Sequence, residues 1–202
     1  MVQVMIGDRQ ALRRGLWRLA GRQHGYFTAA QAVKVGYSHQ AQKFNVDHGN
    51  WVRVDRGLFR LPEWQVANDD HFVRWSLWSG GAAVVSHTSA LAMHDLGDVD
   101  PARIHLSVPR GFRRSTPHAV VLHRQDVPDS DTEDRGGYRV TTPTRAIVES
   151  AADRIEQEWL DTAVAEALDR GLTTRRMLRD AAVRTGAVAE VGVERALSAA
   201  QR

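Results

Sequence analysis

Apolar residues recur at helical spacing near the start of the chain. In the stretch QALRRGLWRLAGRQ, residues 10–23, Leu12, Leu16 and Leu19 follow one another at intervals of four and three. That spacing places them on one face of an α-helix, and the arginines lie mostly off that face. Gly25 is a suitable stop. The pattern therefore predicts an amphipathic first helix with a basic outer side.

Two shorter helices follow. Thr28 is a favourable N-cap for the segment AAQAVKV, residues 29–35, and Gly36 is a turn residue behind it. Ser38 is a second N-cap, and the helix that it begins is expected to end near Gly49. Two helices joined by a tight glycine-containing turn are typical of a helix-turn-helix motif.

The third helix is mostly polar. We expect its packed side to hold Tyr37, Ala41, Phe44 and His48. The side chains expected largely on its other sides are His39, Gln40, Gln42, Lys43 and Asp47. A helix with so little apolar surface is expected to present a large part of its side chains to solvent or to a partner.

A hairpin is predicted directly behind this helix. The runs WVRV and LFRL flank the turn segment DRG, in which Gly57 supplies a positive φ. The expected apolar face holds Val52, Val54, Phe59 and Leu61, and the other face holds Arg53 and Arg60. Three helices followed by a two-stranded wing predict a winged helix-turn-helix that ends at Pro62.

The remainder mixes strands and helices. The segments AAVVS, RIHLSV, AVVLHR and YRVTT are predicted strands, and VPDSDTEDRGG is a predicted acidic loop. HTSALAMHDLG is a predicted short helix stopped by Gly97. From about residue 143 the pattern is helical, with Thr142 as a cap and Pro143 at the first helical position. The helices expected there cover about 143–153, 155–169, 173–185, with Thr173 as cap, and 190–200.

These elements predict an α+β protein of two domains. Residues 1–64 form the winged helix-turn-helix, and residues 65–202 form a mixed α/β C-terminal domain that ends in several helices. The segment EWQVANDD, from Glu63, is the expected boundary.

Charge is unevenly distributed. Residues 1–64 hold ten Lys and Arg against four Asp and Glu, a net charge of +6, whereas residues 65–150 carry −2 and residues 151–202 carry −1. A basic module joined to a near-neutral remainder is the pattern expected of a protein that meets a polyanion.

Several classes are excluded or disfavoured by composition. The 202 residues include no cysteine, so disulfides, cysteine-bound zinc and a thiol nucleophile are excluded. No apolar run approaches the roughly 20 residues that cross a bilayer. The segment MVQVMIGDRQALRRG lacks the apolar core of a signal peptide. We therefore expect a cytoplasmic protein without membrane contact.

Nucleic-acid chemistry fits the basic module. A recognition helix carries polar side chains into the major groove, where each base pair has a distinct donor and acceptor pattern. The residues expected to contact DNA are Thr28, Ser38, His39, Gln40, Gln42, Lys43, Arg53, Arg56 and Arg60. A second basic cluster, expected either to contact nucleic acid or a protein partner or to be a solvated loop, holds Arg110, Arg113 and Arg114.

No pattern for catalysis or metal binding is visible. His87 and His94 are two helical turns apart, about 10.5 Å, which is too far for one ion. Ser86, His87 and Ser89 lack the nucleophile elbow of a hydrolase, and no glycine loop for phosphate is present. We therefore expect no catalytic residue, no metal site and no cofactor, and interpret SHTSAL as a strand end, a helix cap and packing.

Three segments carry a family resemblance. GYSHQAQKFNVDHGNWVRVDRGLFRLPEW, SHTSALAMHDLGDVDPARIHLSVP and GYRVTTPTRAIVESA look like the AbiEi family of bacterial antitoxins, in the family's order and with similar spacing. The resemblance covers nearly the whole chain. It implies a type IV toxin–antitoxin system whose toxin is a nucleotidyltransferase-like protein. It also implies that the winged helix binds inverted repeats in its own promoter, as a dimer or as cooperating monomers, and represses the operon.

Two other functions stay open. The C-terminal domain is either the toxin-neutralising part by direct protein–protein contact, with DNA binding secondary, or an enzyme such as a nuclease or a modifier of the toxin. Some relatives fuse a similar winged helix to an endonuclease-like domain, whose metal site uses acidic residues and a lysine. After Lys43 this chain has no lysine, which argues against that alternative.

Overall fold

In the computed structural model, which describes residues 6–65 and 69–201, the chain divides into two units. Unit 1 comprises Met1–Gly81 with Arg135–Tyr138, and unit 2 comprises Ala82–Asp134 with Arg139–Arg202. The predicted boundary at residue 64 therefore falls inside unit 1, and residues 66–68 of the expected linker lie outside the described part. Helices and strands are both present, which confirms the α+β class.

Unit 1 has the element order of a winged helix-turn-helix. Its elements are α1 Ile6–Gly21, β1 Tyr26–Thr28, α2 Ala29–Val35, α3 His39–Asp47, β2 Val52–Asp55, β3 Leu58–Arg60 and α4 Asp70–Trp78. The three strands form an antiparallel sheet in the order β1-β3-β2. Strand β1 is not predicted from the sequence, because three residues between a helix stop and a helix cap give no alternating pattern.

Aromatic side chains fill the core of unit 1. Phe27 is fully buried, and its ring meets Trp51 edge-on with centroids 4.8 Å apart. The ring of Tyr37 also meets Trp51 edge-on, with centroids 5.0 Å apart. Leu16 and Ala20 of α1 belong to the same buried cluster, so the predicted apolar face of the first helix does pack inward.

Unit 2 has a mixed sheet covered by helices. Its elements are β4 Val84–Val85, α5 His87–Met93, β5 Ile104–Val108, β6 Val120–Arg124, a 3-10 turn Asp129–Asp131, β7 Thr132–Asp134, β8 Arg139–Thr141, α6 Pro143–Ala152, α7 Gln157–Asp169, α8 Arg175–Thr185 and α9 Ala187–Ala199. The sheet order is β6-β5-β4-β8-β7, with parallel pairs β5–β6 and β4–β8. Helix α9 packs against α6, α7 and α8.

Local details of unit 2 differ from the prediction in two places. The acidic segment expected as a loop contains β7, which pairs with β8. Helix α8 is capped by Thr174, whose hydroxyl accepts from Met177 N, and not by Thr173. Thr173 is buried instead, and its hydroxyl lies 2.7 Å from that of Thr144. Over residues 6–65 and 69–201, no helix is both long and apolar enough to cross a membrane.

Candidate functional site

The turn before α3 is built by Gly36 and Ser38. Gly36 ends α2 with φ 117, and its N–H donates to the carbonyls of Ala32 and Val33. Ser38 then caps α3 by accepting a hydrogen bond from Ala41 N at 3.1 Å. These contacts satisfy backbone groups at both helix ends and fix the turn between the two helices.

One side of α3 is open to solvent. The exposed side chains on it are His39, Gln40, Lys43, Phe44 and Asp47. Lys43 Nζ lies 2.6 Å from Asp47 Oδ2, and this hydrogen bond lowers the pKa of the Asp47 carboxyl. An exposed i,i+4 pair of this kind holds the lysine loosely, so its ammonium remains available to another anion.

Gln42 does not belong to this exposed side, which corrects the sequence prediction. Its side chain is 3% exposed, and Nε2 donates to the carbonyls of Ala29 at 3.2 Å and Tyr37 at 3.4 Å. The amide therefore satisfies two buried carbonyls and holds α3 against the start of α2. Gln42 is a structural residue and is not available to a base edge.

Phe44 was predicted to pack inward and is exposed. Its side chain is 55% exposed and its ring stacks on His48 with centroids 3.8 Å apart. The inward positions are Gln42 and the half-buried Ala41 and Val46. Residues 42 and 44 point about 200° apart around a helix, so the burial of Gln42 leaves Phe44 on the exposed side. The prediction placed the polar Gln42 outside and therefore reversed these two positions.

The wing carries two exposed arginines. Arg53 lies on β2, and Arg56 lies in the turn with Gly57, whose φ is 70. The Arg56 N–H donates to Asp55 Oδ1 at 2.6 Å, which stabilises the turn backbone. The guanidinium of Arg53 is 6.0 Å from the centre of the Phe59 ring. Both charged groups remain accessible.

The faces of the hairpin differ from those expected. Val52 lies opposite Arg60, and Arg53 lies opposite Phe59, with an irregularity between Arg53 and Asp55. Residues directly opposite share one face of a sheet. The expected grouping of Val52 with Phe59 is therefore wrong, because the register differs by one residue and such a shift exchanges the faces.

Two further residues predicted to contact DNA, Arg60 and Thr28, form hydrogen bonds within unit 1. Arg60 is half-buried, and its Nη1 donates to the carbonyl of Trp64 at 2.5 Å. The Thr28 hydroxyl accepts from Gln31 N, while Gln31 Oε1 accepts from Thr28 N in return. This capping box satisfies the start of α2. Arg60 and Thr28 are thus held by unit 1 itself, in contrast to Arg53 and Arg56.

The second basic cluster lies in unit 2, in the loop between β5 and β6. Arg110, Arg113 and Arg114 are all exposed there. Arg110 Nε lies 3.8 Å from Asp126 Oδ2, with both side chains more than 70% exposed. A surface pair of this separation contributes little to stability.

A polar row on the sheet of unit 2 was not predicted. In the parallel pair β5–β6, Ser107 lies opposite His123 and His105 lies opposite Val121. His105, Ser107 and His123 therefore share one face. His105 Nδ1 is 3.1 Å from His123 Nε2. Gln125, just beyond β6, donates from Nε2 to Ser107 Oγ at 2.9 Å.

His87 joins this row from the start of α5. Its ring stacks on that of His123 with centroids 3.4 Å apart and planes 14° apart. Burial, with the neighbouring His123, lowers the pKa of His87 to about 2, and burial lowers the pKa of His123 to about 4. Both rings are therefore neutral at pH 7. His87 also has φ 53, a left-handed conformation that costs a non-glycine residue about 1–3 kcal/mol and is concentrated at functional sites.

A buried ion pair lies beside the histidines. Glu149 on α6 is 2% exposed, and its Oε1 accepts from Arg145 Nε and from Gln125 Nε2, both at 2.7 Å. Its Oε2 lies 3.5 Å from the backbone N of His87. Burial raises the pKa of the Glu149 carboxyl, while the hydrogen bond from Arg145 acts in the opposite direction.

Asp153, the C-cap of α6, completes the group. Its Oδ2 lies 3.8 Å from His87 Nε2 and 3.7 Å from His123 Nδ1. Burial raises its pKa, although its side chain is 42% exposed. We call His87, His105, His123 and Asp153 the histidine cluster.

Local spacing could not reveal the histidine cluster, since its members come from α5, β5, β6 and the end of α6. One signal was present in the sequence. The predicted strand AVVLHR carries His123 near its end, and the predicted strand RIHLSV places polar residues at alternate positions between apolar ones. Such alternation usually marks a solvated face, whereas here α5 and α6 supply polar partners to that face.

Comparison with protein-family models finds no match, and comparison with curated protein sequences finds none either. Among solved structures, the chain is similar to the crystal structure of the RV2827C protein from Mycobacterium tuberculosis, with a TM-score of 0.61 at 15% sequence identity. The similarity covers 95% of this chain and 77% of that one. At this identity it concerns the fold alone.

Proposed function

We propose that unit 1 binds double-stranded DNA and that the protein is a transcriptional autorepressor and the antitoxin of a type IV toxin–antitoxin system. The observation that supports DNA binding is the exposed side of α3 beside a wing with two exposed arginines. Seven further arginine and lysine residues, besides Lys43, Arg53 and Arg56, lie within residues 1–64. The antitoxin role is supported by the resemblance of three segments to AbiEi antitoxins.

The residues of unit 1 divide into two groups by chemistry. His39, Gln40 and Lys43 offer donors and acceptors to base edges, and Phe44 offers an apolar surface that suits a thymine methyl group. Arg53 and Arg56 suit phosphates, which position a protein on DNA without reading its sequence. In this proposal Phe44 replaces Gln42 among the reading residues, because Gln42 is buried.

The test measures binding of the full chain to DNA from upstream of its own gene, by fluorescence anisotropy. A His39→Ala/Gln40→Ala/Lys43→Ala/Phe44→Ala variant is expected to lose the preference for this DNA over a scrambled duplex. Arg53→Ala/Arg56→Ala is expected to weaken binding to both duplexes and to reduce the salt slope by about 0.9 for each lost phosphate contact.

A matched control removes equal charge from α1. Arg14 and Arg18 are exposed there, and Arg14→Ala/Arg18→Ala is expected to weaken binding less than the wing variant. Equal affinities of the wild type, the α3 variant and the wing variant for the upstream DNA would contradict the assignment of this surface.

The antitoxin role has a separate test. The proposal predicts a nucleotidyltransferase-like gene beside this one. Expression of that gene is expected to stop growth, and co-expression of this protein is expected to restore it. Failure of rescue with normal DNA binding would contradict the antitoxin role alone.

Direct toxin binding through unit 2 is a second candidate. Helices α8 and α9 expose apolar side chains, with Val183 at 64%, Val188 at 40% and Val191 at 54%. Val188 and Val191 lie one helical turn apart and suit a protein contact. Co-purification with the toxin that is lost in Val188→Asp/Val191→Asp, but kept in the α3 variant, would support this mode.

A further inference from the structure

We propose that His87, His123 and Asp153 of unit 2 bind a divalent transition-metal ion of the Zn²⁺ class. One ligand atom from each of the three residues lies within 4.8 Å of the other two. Nothing in the DNA-binding or antitoxin proposal requires this site, and it stands on the geometry of unit 2 alone.

The separations are close to those of a coordinated ion. His87 Nε2 and His123 Nδ1 lie 3.8 and 3.7 Å from Asp153 Oδ2. Around a tetrahedral zinc ion with bonds of about 2.0–2.1 Å, ligand atoms are about 3.4 Å apart. Binding of one ion requires the two imidazoles to leave their 3.4 Å stack and rotate until both ring planes meet at the metal, together with a small shift of the Asp153 carboxylate.

The second nitrogen of each imidazole is already held. His87 Nδ1 lies 2.9 Å from Ser86 Oγ, and His123 Nε2 lies 3.1 Å from His105 Nδ1. Each ring therefore has one nitrogen in contact with a polar neighbour and the other directed at the same carboxylate. Metal-binding histidines show this division, because the outer partner fixes the tautomer and the orientation of the ring.

The donor atoms select the class of ion. Two imidazole nitrogens and one carboxylate oxygen suit Zn²⁺, Fe²⁺, Co²⁺ or Ni²⁺, whereas Mg²⁺ and Ca²⁺ prefer all-oxygen sites. The set is complete without cysteine, of which the chain has none.

Three protein ligands leave coordination positions for water or another molecule. Glu149 does not fill such a position. Its Oε2 lies 3.8 Å from His87 Nδ1, the nitrogen directed away from Asp153, and its Oε1 accepts hydrogen bonds from Arg145 and Gln125. The Asp153 side chain is 42% exposed, so solvent reaches this edge of the cluster. An open position of this kind is typical of zinc sites that bind or activate a small molecule.

The test uses the tag-free full chain after treatment with a chelator. Titration with Co²⁺ is expected to give visible absorption bands that saturate at one equivalent, and calorimetry with Zn²⁺ is expected to give the same stoichiometry. Asp153→Asn changes a partly exposed side chain and leaves the core packing intact, and we expect it to weaken Zn²⁺ binding at least tenfold. His123→Ala is expected to act similarly.

Ser86→Ala tests the positioning role of the hydroxyl beside His87 Nδ1. We expect weaker binding by about tenfold, which is the usual effect of losing an outer partner, with the cobalt bands kept at saturating Co²⁺. Circular dichroism checks that each variant is folded.

Two controls keep the result specific. His118 is exposed in the loop before β6, and His118→Ala is expected to leave the affinity unchanged. His24, Asp69 and Asp70 of unit 1 also bring three ligand atoms within 4.8 Å of one another. Loss of the signal in His24→Ala but not in Asp153→Asn would overturn the proposal, as would absence of saturable Co²⁺ and Zn²⁺ binding by the wild type.

Discussion

The imidazole rings of His87 and His123 stack at 3.4 Å between centroids, although His87 begins helix α5 and His123 lies near the end of strand β6. Two positively charged rings at this distance would repel each other strongly in a buried setting. The stacked arrangement is therefore one of neutral rings, in agreement with the lowered pKa values of both histidines.

Acid is expected to destabilise unit 2 through these rings. The pKa of His123 is about 4 in the folded state and 6.5 in the unfolded state. The unfolded state therefore binds more protons between these values, and stability is lost as pH falls below 6.5. From pH 7 to pH 5 the loss through His123 is about 2 kcal/mol. Urea unfolding of the chelator-treated, metal-free chain at both pH values measures it.

The matched variant for this prediction is His123→Asn, which has no group that titrates in this range. Its loss of stability between pH 7 and pH 5 is expected to be smaller than that of the wild type by about 2 kcal/mol. The raised pKa of Glu149 acts in the opposite direction, but it is present in both proteins and largely cancels in the comparison. Equal losses in the two proteins would contradict the prediction.

The buried pair of Arg145 and Glu149 makes a distinct prediction. Arg145→Met removes the charged one of the two 2.7 Å partners of Glu149, a carboxylate that is 2% exposed. Leaving such a charge unpaired costs about 3–5 kcal/mol of unfolding free energy. The double variant Arg145→Met/Glu149→Met is expected to be more stable than Arg145→Met, because it removes the buried charge as well. Chemical unfolding of the three proteins decides this, and a double variant less stable than the single one would refute it.

Substitutions of Gln42 and Lys43, which are neighbours in α3, are expected to have opposite effects on stability and on DNA binding. Gln42→Ala leaves the carbonyls of Ala29 and Tyr37 without their donor and should cost about 1–3 kcal/mol of stability. Its DNA affinity at a temperature where it is fully folded should not change. Lys43→Ala removes a side chain that is 75% exposed, so stability should change by less than about 0.5 kcal/mol while DNA binding weakens. Thermal unfolding and anisotropy on both variants test the pair, and the reverse pattern would restore the prediction made from sequence.

The turn before α3 is expected to require glycine. At Gly36 φ is 117, and an added Cβ would lie 2.6 Å from Leu12 Cδ2. Gly49 also has a positive φ of 73, but a Cβ there meets nothing within 4 Å. Gly36→Ala should therefore destabilise unit 1 by about 1–3 kcal/mol more than Gly49→Ala, since it adds a clash to the backbone strain. Urea midpoints of the two variants provide the comparison.

Sequence determined the elements whose causes are local. Helix α2 covers residues 29–35 as predicted, because Thr28 caps it and Gly36 ends it. Thr142 and Pro143 fixed the start of α6 in the same way. The hairpin turn at Gly57 was likewise predicted from one residue. Each of these features depends on hydrogen bonds and dihedral angles within a few residues, and these are properties of the local sequence.

Tertiary structure decided which polar residues face inward. Gln42 is polar in sequence but buried in unit 1, because carbonyls from Ala29 and Tyr37 accept from its amide. His87 and His123, 36 residues apart in the chain, stack because α5 covers the face of the sheet on which His123 lies. The free energy of burying a polar group depends on whether a hydrogen-bond partner is present at the buried position. That partner comes from another element, so residue type and periodicity alone do not specify it.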